Sequence, residues 1–178
     1  MPLSLDVVES RARKVQLLLL DVDGVLTDGS VIIGEDGREA KAFNIRDGAG
    51  LVWAQREGLQ VGLLSARPSQ ATAHRAAELG IDLVLQTGPD KRSAYSTLLK
   101  ERSLTDYQVA YMGDDLLDLP ILGRVGLSAA PIDANEEVLT RVHWVSRFGG
   151  GRGAVRELIE LILRARMRWD RFVNQHLR

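Results

Sequence analysis

The chain has 178 residues, of which 45% are hydrophobic and 26% charged, a composition typical of a globular domain. Its 23 Lys and Arg and 24 Asp and Glu give a net charge of -1, which argues against nucleic-acid or membrane binding as its main role. The absence of cysteine excludes a disulfide scaffold, a cysteine zinc site and a thiol nucleophile. Residues 1–15 lack the apolar stretch of a signal peptide, so we expect a cytoplasmic protein.

The hydrophobic pattern predicts strands that alternate with helices. Residues 16–20 form an apolar run without alternation, as expected for a parallel strand that is buried on both faces. The other predicted strands are 60–64, 83–85, 108–112, 125–128 and 143–145, and the predicted helices are about 4–13, 48–58, 68–79, 89–101, 115–123, 134–141 and 153–173. This alternation implies an α/β fold with a doubly wound, Rossmann-like parallel sheet. With no linker or repeat in the sequence, we expect one domain over residues 1–178, closed by a C-terminal helix and tail at about 153–178.

A β-hairpin is expected between the first two strands of the sheet. Residues 30–33 and 39–43 alternate polar and apolar side chains, and Asp36-Gly37 between them is typical of a tight turn. This flap, at about residues 30–43, has exposed edges, and such edges invite pairing with another chain. Residues 28–65 and 65–91 are too few to hold a separate cap domain in addition to their predicted elements.

Acidic residues follow two of the buried strands, at the same edge of the predicted sheet. Asp21 and Asp23 come directly after the first strand and, being two residues apart, can face one pocket. Asp114, Asp115 and Asp118 follow the strand at 108–112. Carboxylates brought together repel unless a cation or a proton joins them, and oxygen ligands favour Mg²⁺. An N-cap is the alternative for Asp115, but it does not account for Asp114.

A hydroxyl and a cation are predicted at the same edge. Ser65 ends the strand at 60–64, where a hydroxyl at a helix N-terminus suits a phosphate oxygen; an ordinary N-cap is the alternative. Lys91 falls in the first turn of a helix that Pro89 would open. Because a cation there opposes the helix dipole, we expect an anion beside Lys91, with a solvated surface lysine as the alternative.

These motifs, and their order along the chain, resemble those of the haloacid dehalogenase superfamily of phosphotransferases. The resemblance implies that the chain has the fold of that superfamily. The matching residues are Asp21-Val22-Asp23-Gly24, Ser65, Lys91 and the GDDLLD segment at 113–118. The segments AFNIRDG at 42–48 and GGRGAVRE at 150–157 look, more narrowly, like the 3-deoxy-D-manno-octulosonate 8-phosphate phosphatase family. The likeness runs from about residue 17 to 163. It departs at Ala66, where the family has glycine, and in the loop before Lys91.

The resemblance implies a phosphoric monoester hydrolase that acts on a phosphorylated sugar acid in lipopolysaccharide precursor synthesis. Asp21 would attack phosphorus to form an aspartyl-phosphate. Asp23 would protonate the leaving sugar oxygen and then take a proton from water. Ser65 would donate to a phosphoryl oxygen, and Lys91 would neutralise charge in the transition state.

The resemblance also implies a bound Mg²⁺. Its ligands would be the Asp21 carboxylate, the Asp23 main-chain carbonyl and Asp114. Asp118 would orient Lys91 or form hydrogen bonds to the groups that bind the metal. Asp115 would lie near a metal-bound water.

Three arginines are candidates for binding the substrate carboxylate, since arginine suits planar anions: Arg67, Arg46 and Arg152. The alternative for Arg46 is an ion pair with Asp47 or another acid.

A homotetramer with its hairpins in contact is a further implication of the resemblance. Alternative functions are a phosphatase for a nine-carbon keto-acid sugar phosphate, a phosphomutase, and a non-catalytic oligomerisation module of the same fold. The intact acidic motifs argue against the last, because a module needs none of them.

Overall fold

A parallel sheet of six strands organises the chain. The computed structural model describes residues 3–88 and 90–177. The strands in chain order are β1 (Leu17–Leu20), β2 (Ile32–Ile33), β3 (Glu39–Ala40), β4 (Gln60–Ser65), β5 (Leu83–Gln86), β6 (Val109–Met112), β7 (Leu127–Ala130) and β8 (Trp144–Val145). The main sheet has the order β5-β4-β1-β6-β7-β8, and its neighbouring strands are parallel. The predicted doubly wound α/β sheet is confirmed.

Helices cover both faces of this sheet. They are α1 (Leu5–Ala12), α2 (Ile45–Arg56), α3 (Gln70–Glu78), α4 (Lys91–Arg102), α5 (Leu119–Leu122), α6 (Glu136–Leu139), α7 (Ala154–Ala165) and α8 (Trp169–His176). In the described part of the chain, no helix combines the length and the apolar character needed to cross a membrane.

The four leucines of β1 join the two halves of the core. Leu18 and Leu20 belong to the cluster that contains residues of α1, α2 and α7. Leu17 and Leu19 belong to the cluster that contains residues of α4, α5 and α6. Side chains of a strand alternate between its faces, so a strand with helices on both sides must be apolar at every position.

The carboxyl end of β1 is the point where the strand order reverses. β4 and β5 lie on one side of β1, and β6, β7 and β8 lie on the other. In open α/β sheets, ligands bind in the crevice at such a reversal. The fold therefore places the segments that follow β1, β4 and β6 around one crevice.

The expected hairpin is present, with strands shorter than predicted. β2 and β3 pair antiparallel over two residues each. At the turn, Gly37 has a φ of +75°, and the Arg38 N–H donates to the Asp36 carboxylate at 3.0 Å. Ile32 and Ile33 are exposed on its outer edge. In the described residues between Asp28 and Lys91, the chain forms this hairpin, α2, β4, α3 and β5, and no cap domain.

The prediction of one long helix over residues 153–173 is wrong. α7 ends at Ala165, and α8 begins at Trp169 after Met167, whose φ is +55°. The break lets Trp169 and Phe172 pack against Trp53, with ring centroids 6.3 and 4.7 Å away. Burial of Trp169 and Phe172 against Trp53 stabilises the bend.

Other boundaries also differ from prediction; the helix predicted at about 134–141, for example, is the short α6 at Glu136–Leu139. α2 begins at Ile45 rather than at 48, because the Asn44 side chain caps it by accepting the Arg46 N–H at 2.8 Å. The helix predicted at 115–123 is a 3₁₀ turn at Leu116–Asp118 followed by the single turn of α5. β7 lies two residues further along the chain than predicted. Pro89, predicted to open α4, lies outside the described residues.

Candidate active site

The segments after β1, β4 and β6 surround a cavity of about 310 Å³ at the carboxyl edge of the sheet. Its lining includes every residue predicted for the site except Arg46 and Arg152: Asp21, Asp23, Ser65, Arg67, Lys91, Asp114, Asp115 and Asp118. We call this the acidic cavity. Residues far apart in sequence meet there because parallel strands end at the same edge.

Asp21 is held by the sheet and by its neighbours. Its N–H donates to the Met112 carbonyl at 3.0 Å, which continues the pairing of β1 with β6. Its Oδ1 accepts the Val22 N–H at 2.6 Å. Its Oδ2 lies 2.8 Å from the Nζ of Lys91. The carboxylate is thus fixed in direction while it still faces the cavity.

Lys91 is a buried cation between two carboxylates. Its side chain is 2% exposed, and its Nζ donates to Asp118 Oδ1 at 2.7 Å as well as contacting Asp21. The anion expected beside Lys91 is therefore present twice. Burial lowers the pKa of Lys91, but Asp21 and Asp118 more than offset this, so its pKa lies above the usual value.

Asp118 joins Lys91 to the loop after β6. Its Oδ1 also accepts the Tyr111 hydroxyl at 2.6 Å. Its Oδ2 accepts the N–H groups of Asp114 at 2.9 Å and Asp115 at 3.2 Å. Both oxygens are therefore engaged. This geometry suits Asp118 to orienting Lys91, one of the two roles expected for it.

Asp115 is an N-cap, as its alternative interpretation predicted. It precedes the 3₁₀ turn, and its Oδ1 accepts the Leu116 N–H at 2.8 Å. Its side chain still lines the acidic cavity. A role near a metal-bound water stays a prediction.

Asp114 contributes an oxygen that has no hydrogen-bond partner. Its Oδ1 is buried and unpaired among the residues that the structure describes. Carboxylate oxygens of Asp21, Asp114 and Asp118 lie within 4.8 Å of one another. The oxygens of Asp118 and of Asp21 already have partners, so Asp114 Oδ1 is the free ligand of this group. Hard oxygen donors gathered in this way fit Mg²⁺.

The electrostatics of the acidic cavity also favour a divalent cation. Burial and the nearby charge of Asp118 raise the pKa of Asp21 to about 7. Burial, Asp21 and Asp118 raise the pKa of Asp114 to about 8. Lys91 opposes both shifts without cancelling them. A bound dication would supply the missing positive charge.

The loop after β1 depends on glycine where it meets Asp114. Gly24 has a φ of +82°, and a Cβ there would collide with the Asp114 carboxylate. A Cβ on Gly150 would likewise collide with the Gly24 carbonyl. The GGRG segment that begins at Gly150 therefore packs directly against this loop, although it lies far away in the sequence.

Ser65 and Arg67 approach the acidic cavity from the end of β4. The buried Ser65 Oγ accepts the Arg67 N–H at 3.2 Å. The Arg67 guanidinium pairs with Glu39, and its Nε lies 3.7 Å from Asp23 Oδ2. A hydroxyl, a cation and the Asp23 carboxylate therefore lie at one mouth of the cavity.

Three residues of this region were not predicted from the sequence. Glu39 and Lys41 reach it from the hairpin, and Tyr111 reaches it from β6. The available signal was weak. Glu39 and Lys41 alternate with alanines in a predicted strand, and Tyr111 places a hydroxyl in an otherwise apolar strand.

Arg46 and Arg152 lie at a different cavity. It measures about 470 Å³ at the N-terminal end of α7, and we call it the arginine-lined cavity; its lining is Arg46, Arg147, Phe148, Arg152, Gly153, Arg156, Glu157 and Glu160. Arg152 lies 3.9 Å from Asp28. The Asp47 carboxylate, considered as a partner of Arg46, accepts the backbone N–H groups of Gly153 and Arg156 at 3.2 and 2.7 Å. Substrate binding by these arginines stays a prediction.

The chain is similar to several known proteins. Residues 63–155 match a family described as haloacid dehalogenase-like hydrolase. The chain is 42% identical over 176 residues to 3-deoxy-D-manno-octulosonate 8-phosphate phosphatase KdsC of Escherichia coli K12, covering 99% of this chain and 93% of that protein.

Two solved structures extend the comparison. The phosphatase of that name from Yersinia pestis is 43% identical, with a TM-score of 0.91 over 93% of this chain and 89% of that one. The one from Moraxella catarrhalis, solved with a magnesium ion, a phosphate ion and KDO, is 34% identical, with a TM-score of 0.95 over 97% and 99%. The chain therefore belongs to the 3-deoxy-D-manno-octulosonate 8-phosphate phosphatase family of haloacid dehalogenase-like hydrolases.

Proposed function

We propose that this protein is a Mg²⁺-dependent phosphatase that converts 3-deoxy-D-manno-octulosonate 8-phosphate to the free sugar acid and inorganic phosphate, within lipopolysaccharide precursor synthesis. The observation that carries the proposal is the cluster of Asp21, Lys91 and Asp114 in the acidic cavity of a chain of this family. This cluster places a buried carboxylate beside a buried ammonium and near a second carboxylate that has an unpaired oxygen. Such an arrangement suits phosphoryl transfer.

In the first step, a carboxylate oxygen of Asp21 bonds to phosphorus while the bond from phosphorus to the sugar C8 oxygen breaks. Asp23 gives a proton to that leaving oxygen. In the second step, Asp23 takes a proton from water as the water oxygen bonds to phosphorus. The bond from phosphorus to Asp21 breaks, which releases inorganic phosphate and restores both carboxyl groups.

The other groups of the site stabilise the negative charge of the phosphoryl group during both steps. Lys91 places its ammonium beside the attacking Asp21 oxygen, and Ser65 offers a hydroxyl to a phosphoryl oxygen. Asp21, Asp114 and the main-chain carbonyl of Asp23 would hold Mg²⁺. When bound, this ion supplies positive charge that stabilises the phosphoryl oxygens in the transition state.

We assign the substrate carboxylate first to Arg67, because this arginine lies at the mouth of the acidic cavity. A charge-assisted, bidentate contact would favour a sugar acid over a neutral sugar. Arg46 and Arg152 line the arginine-lined cavity, and we propose that they contact a substrate bound in the site of a neighbouring subunit. Their proposed role therefore depends on the assembly.

That assembly is proposed to be a homotetramer in which hairpins meet. The support is the exposed edge at Ile32 and Ile33, together with an acidic cavity that has no cap domain in the described residues. Sedimentation should give about four times the chain mass of 19.6 kDa. A fully active monomer would contradict it.

We place the enzyme in the cytoplasm, because a phosphorylated sugar acid carries charges that do not cross a bilayer unaided. Cell fractionation tests this. Residues 1–178 are proposed to act as one domain, since the main sheet takes six strands from along the chain, from β1 to β8.

The substrate is tested by phosphate release from purified protein with Mg²⁺. The panel comprises 3-deoxy-D-manno-octulosonate 8-phosphate, a nine-carbon keto-acid 9-phosphate and glucose 6-phosphate. We expect the highest kcat/KM for the first. Preference for the nine-carbon ester would change the substrate, equal rates on the hexose would remove the sugar-acid assignment, and no release from any ester would refute the phosphatase.

A further inference from the structure

The hairpin sends two charged side chains toward the acidic cavity. Glu39 and Lys41 are two residues apart, with alanines at 40 and 42. Alternate residues of an extended segment point to one side, so both charges share a face. That face is turned toward the segments that follow β1 and β4, since Lys41 contacts Asp23 and Glu39 contacts Arg67.

Lys41 is buried, although the hairpin around it is largely exposed. Its side chain is 0% exposed, and its Nζ contacts Asp23 Oδ1 and lies 3.6 Å from Glu39 Oε1. Removing an ammonium from water costs free energy unless carboxylates compensate for it. The contact with Asp23 is therefore a principal constraint on where the Lys41 side chain lies.

Glu39 fixes the other end of this arrangement. Its Oε1 accepts the Ser69 hydroxyl at 2.6 Å, and its Oε2 pairs with Arg67. The Ser69 hydrogen bond, Lys41 and Arg67 hold the pKa of Glu39 below its usual value. The hairpin strand is thereby tied to the N-terminus of α3, and Lys41 is carried on a fixed support.

We infer that Lys41 is a positioning residue for Asp23, which holds Oδ1 so that Oδ2 is the oxygen that exchanges a proton with the leaving group and with water. This inference rests on the proposed function, in which Asp23 is the acid and base. Lys41 contacts Oδ1, whereas the Arg67 Nε lies 3.7 Å from Oδ2, beyond hydrogen-bond distance, so Oδ2 is the less tightly held oxygen of the two. Lys41 itself touches no reacting atom in this scheme.

A contact that served only to anchor the hairpin would behave differently. It would affect all substrates alike, because it would change the shape of the site and not the transfer of one proton. An aid to the acid matters most when the leaving oxygen is a strong base, as a sugar alkoxide is, and least for 4-nitrophenolate, which leaves without a proton.

The test compares kcat for 3-deoxy-D-manno-octulosonate 8-phosphate and 4-nitrophenyl phosphate in Lys41→Met. We expect the sugar ester to slow by about tenfold or more and the nitrophenyl ester to slow several-fold less. Lys41→Arg should recover most of the loss, since it restores a cation at Asp23. Arg38→Met is the matched control, because Arg38 lies on the same hairpin, 89% exposed and paired only with Asp36 among the described residues.

A double variant separates action through Asp23 from independent action. If Lys41 works through Asp23, Lys41→Met should add almost nothing to the loss in Asp23→Asn. Additive losses, or equal slowing of both esters in Lys41→Met, would overturn the inference while the wild-type activity left the proposed function standing. Failure of the wild type on both esters would instead refute the proposed function.

Discussion

The two charged cavities of this chain handle charge in opposite ways. In the acidic cavity, Lys91 and Asp118 are almost completely buried and pair at 2.7 Å. In the arginine-lined cavity, Arg152 is 71% exposed, and its guanidinium lies 3.9 Å from the Asp28 carboxylate. The arginine-lined cavity also contains ion pairs, such as Arg156 with Glu160 at 2.7 Å, but it presents Arg152 to solvent.

This difference follows from where each cavity lies in the fold. The acidic cavity opens at the end of a sheet buried on both faces, so a charge there is costly unless a partner compensates for it. The arginine-lined cavity lies beside α7, where water screens exposed charges such as that of Arg152. Fixed, desolvated charges suit chemistry, whereas exposed arginines suit the capture of an anion.

The largest expected effect is the loss of the nucleophile in the acidic cavity. Asp21→Asn keeps the shape of the side chain but removes its negative charge, so turnover should fall by at least about 10³-fold. Phosphate release measures the loss, and circular dichroism checks the fold. Substantial turnover in a folded Asp21→Asn protein would refute its assignment as nucleophile.

Removal of the metal should abolish activity in the same cavity. Excess chelator should stop phosphate release and Mg²⁺ should restore it, whereas Ca²⁺ should not, because its looser coordination misplaces the nucleophile. Asp114→Ala should shift the Mg²⁺ titration to higher concentration. An unchanged titration would exclude Asp114 as a ligand.

The stability of the metal-free protein should depend on pH because of this cavity. The folded Asp21 and Asp114 hold protons up to pKa values of about 7 and about 8, whereas the ordinary value is 3.8. The folded state therefore binds more protons than the unfolded state between these values, so the free energy of unfolding should fall as pH rises from about 4 to about 8. Urea denaturation in chelator tests this, and Mg²⁺ should remove most of the dependence. A rise in stability over that range would contradict it.

Removing a positive charge should lower the free energy of unfolding much more at the acidic cavity than at the arginine-lined cavity. Lys91→Met leaves buried carboxylates without their cation and should destabilise the fold by about 3–5 kcal/mol. Arg152→Met, the matched change at the arginine-lined cavity, should cost no more than about 1 kcal/mol. Urea denaturation in chelator compares the two. Equal losses would mean that burial does not set the difference.

The smallest expected effect is on substrate choice. Arg67→Ala should reduce the preference for the sugar-acid phosphate over glucose 6-phosphate by about 1.5–3 kcal/mol, the contribution of a charged hydrogen bond. kcat/KM ratios for the two esters measure it. Arg152→Ala should reduce the preference only in an assembled protein. An unchanged ratio in Arg67→Ala would remove Arg67 from carboxylate recognition.

Much of the architecture could be predicted because local pattern decides it. The unbroken leucines of β1 require burial on both faces, and Asp36-Gly37 favours a hairpin turn. The end of α7 could not be found in this way. Met167 adopts a left-handed backbone conformation so that Trp169 and Phe172 can reach Trp53, a residue more than a hundred positions away.

The candidate site divides in the same way. Asp21, Lys91 and Asp114 could be located because strand ends in a parallel sheet meet at one edge. The contact of Lys41 with Asp23 depends on how the hairpin folds back, which no periodicity encodes. Arginine content alone also could not show that Arg152 and Arg67 line different cavities.

The position of β1 between β4 and β6 has a consequence for backbone amide hydrogen exchange. A strand paired on both sides and buried on both faces opens only when the whole sheet opens, so its amides should exchange at the rate of global unfolding. The hairpin, paired over two residues, should exchange many times faster. Asp21 would then follow the slowest-exchanging strand of the protein, while Lys41 would lie beside one of the fastest.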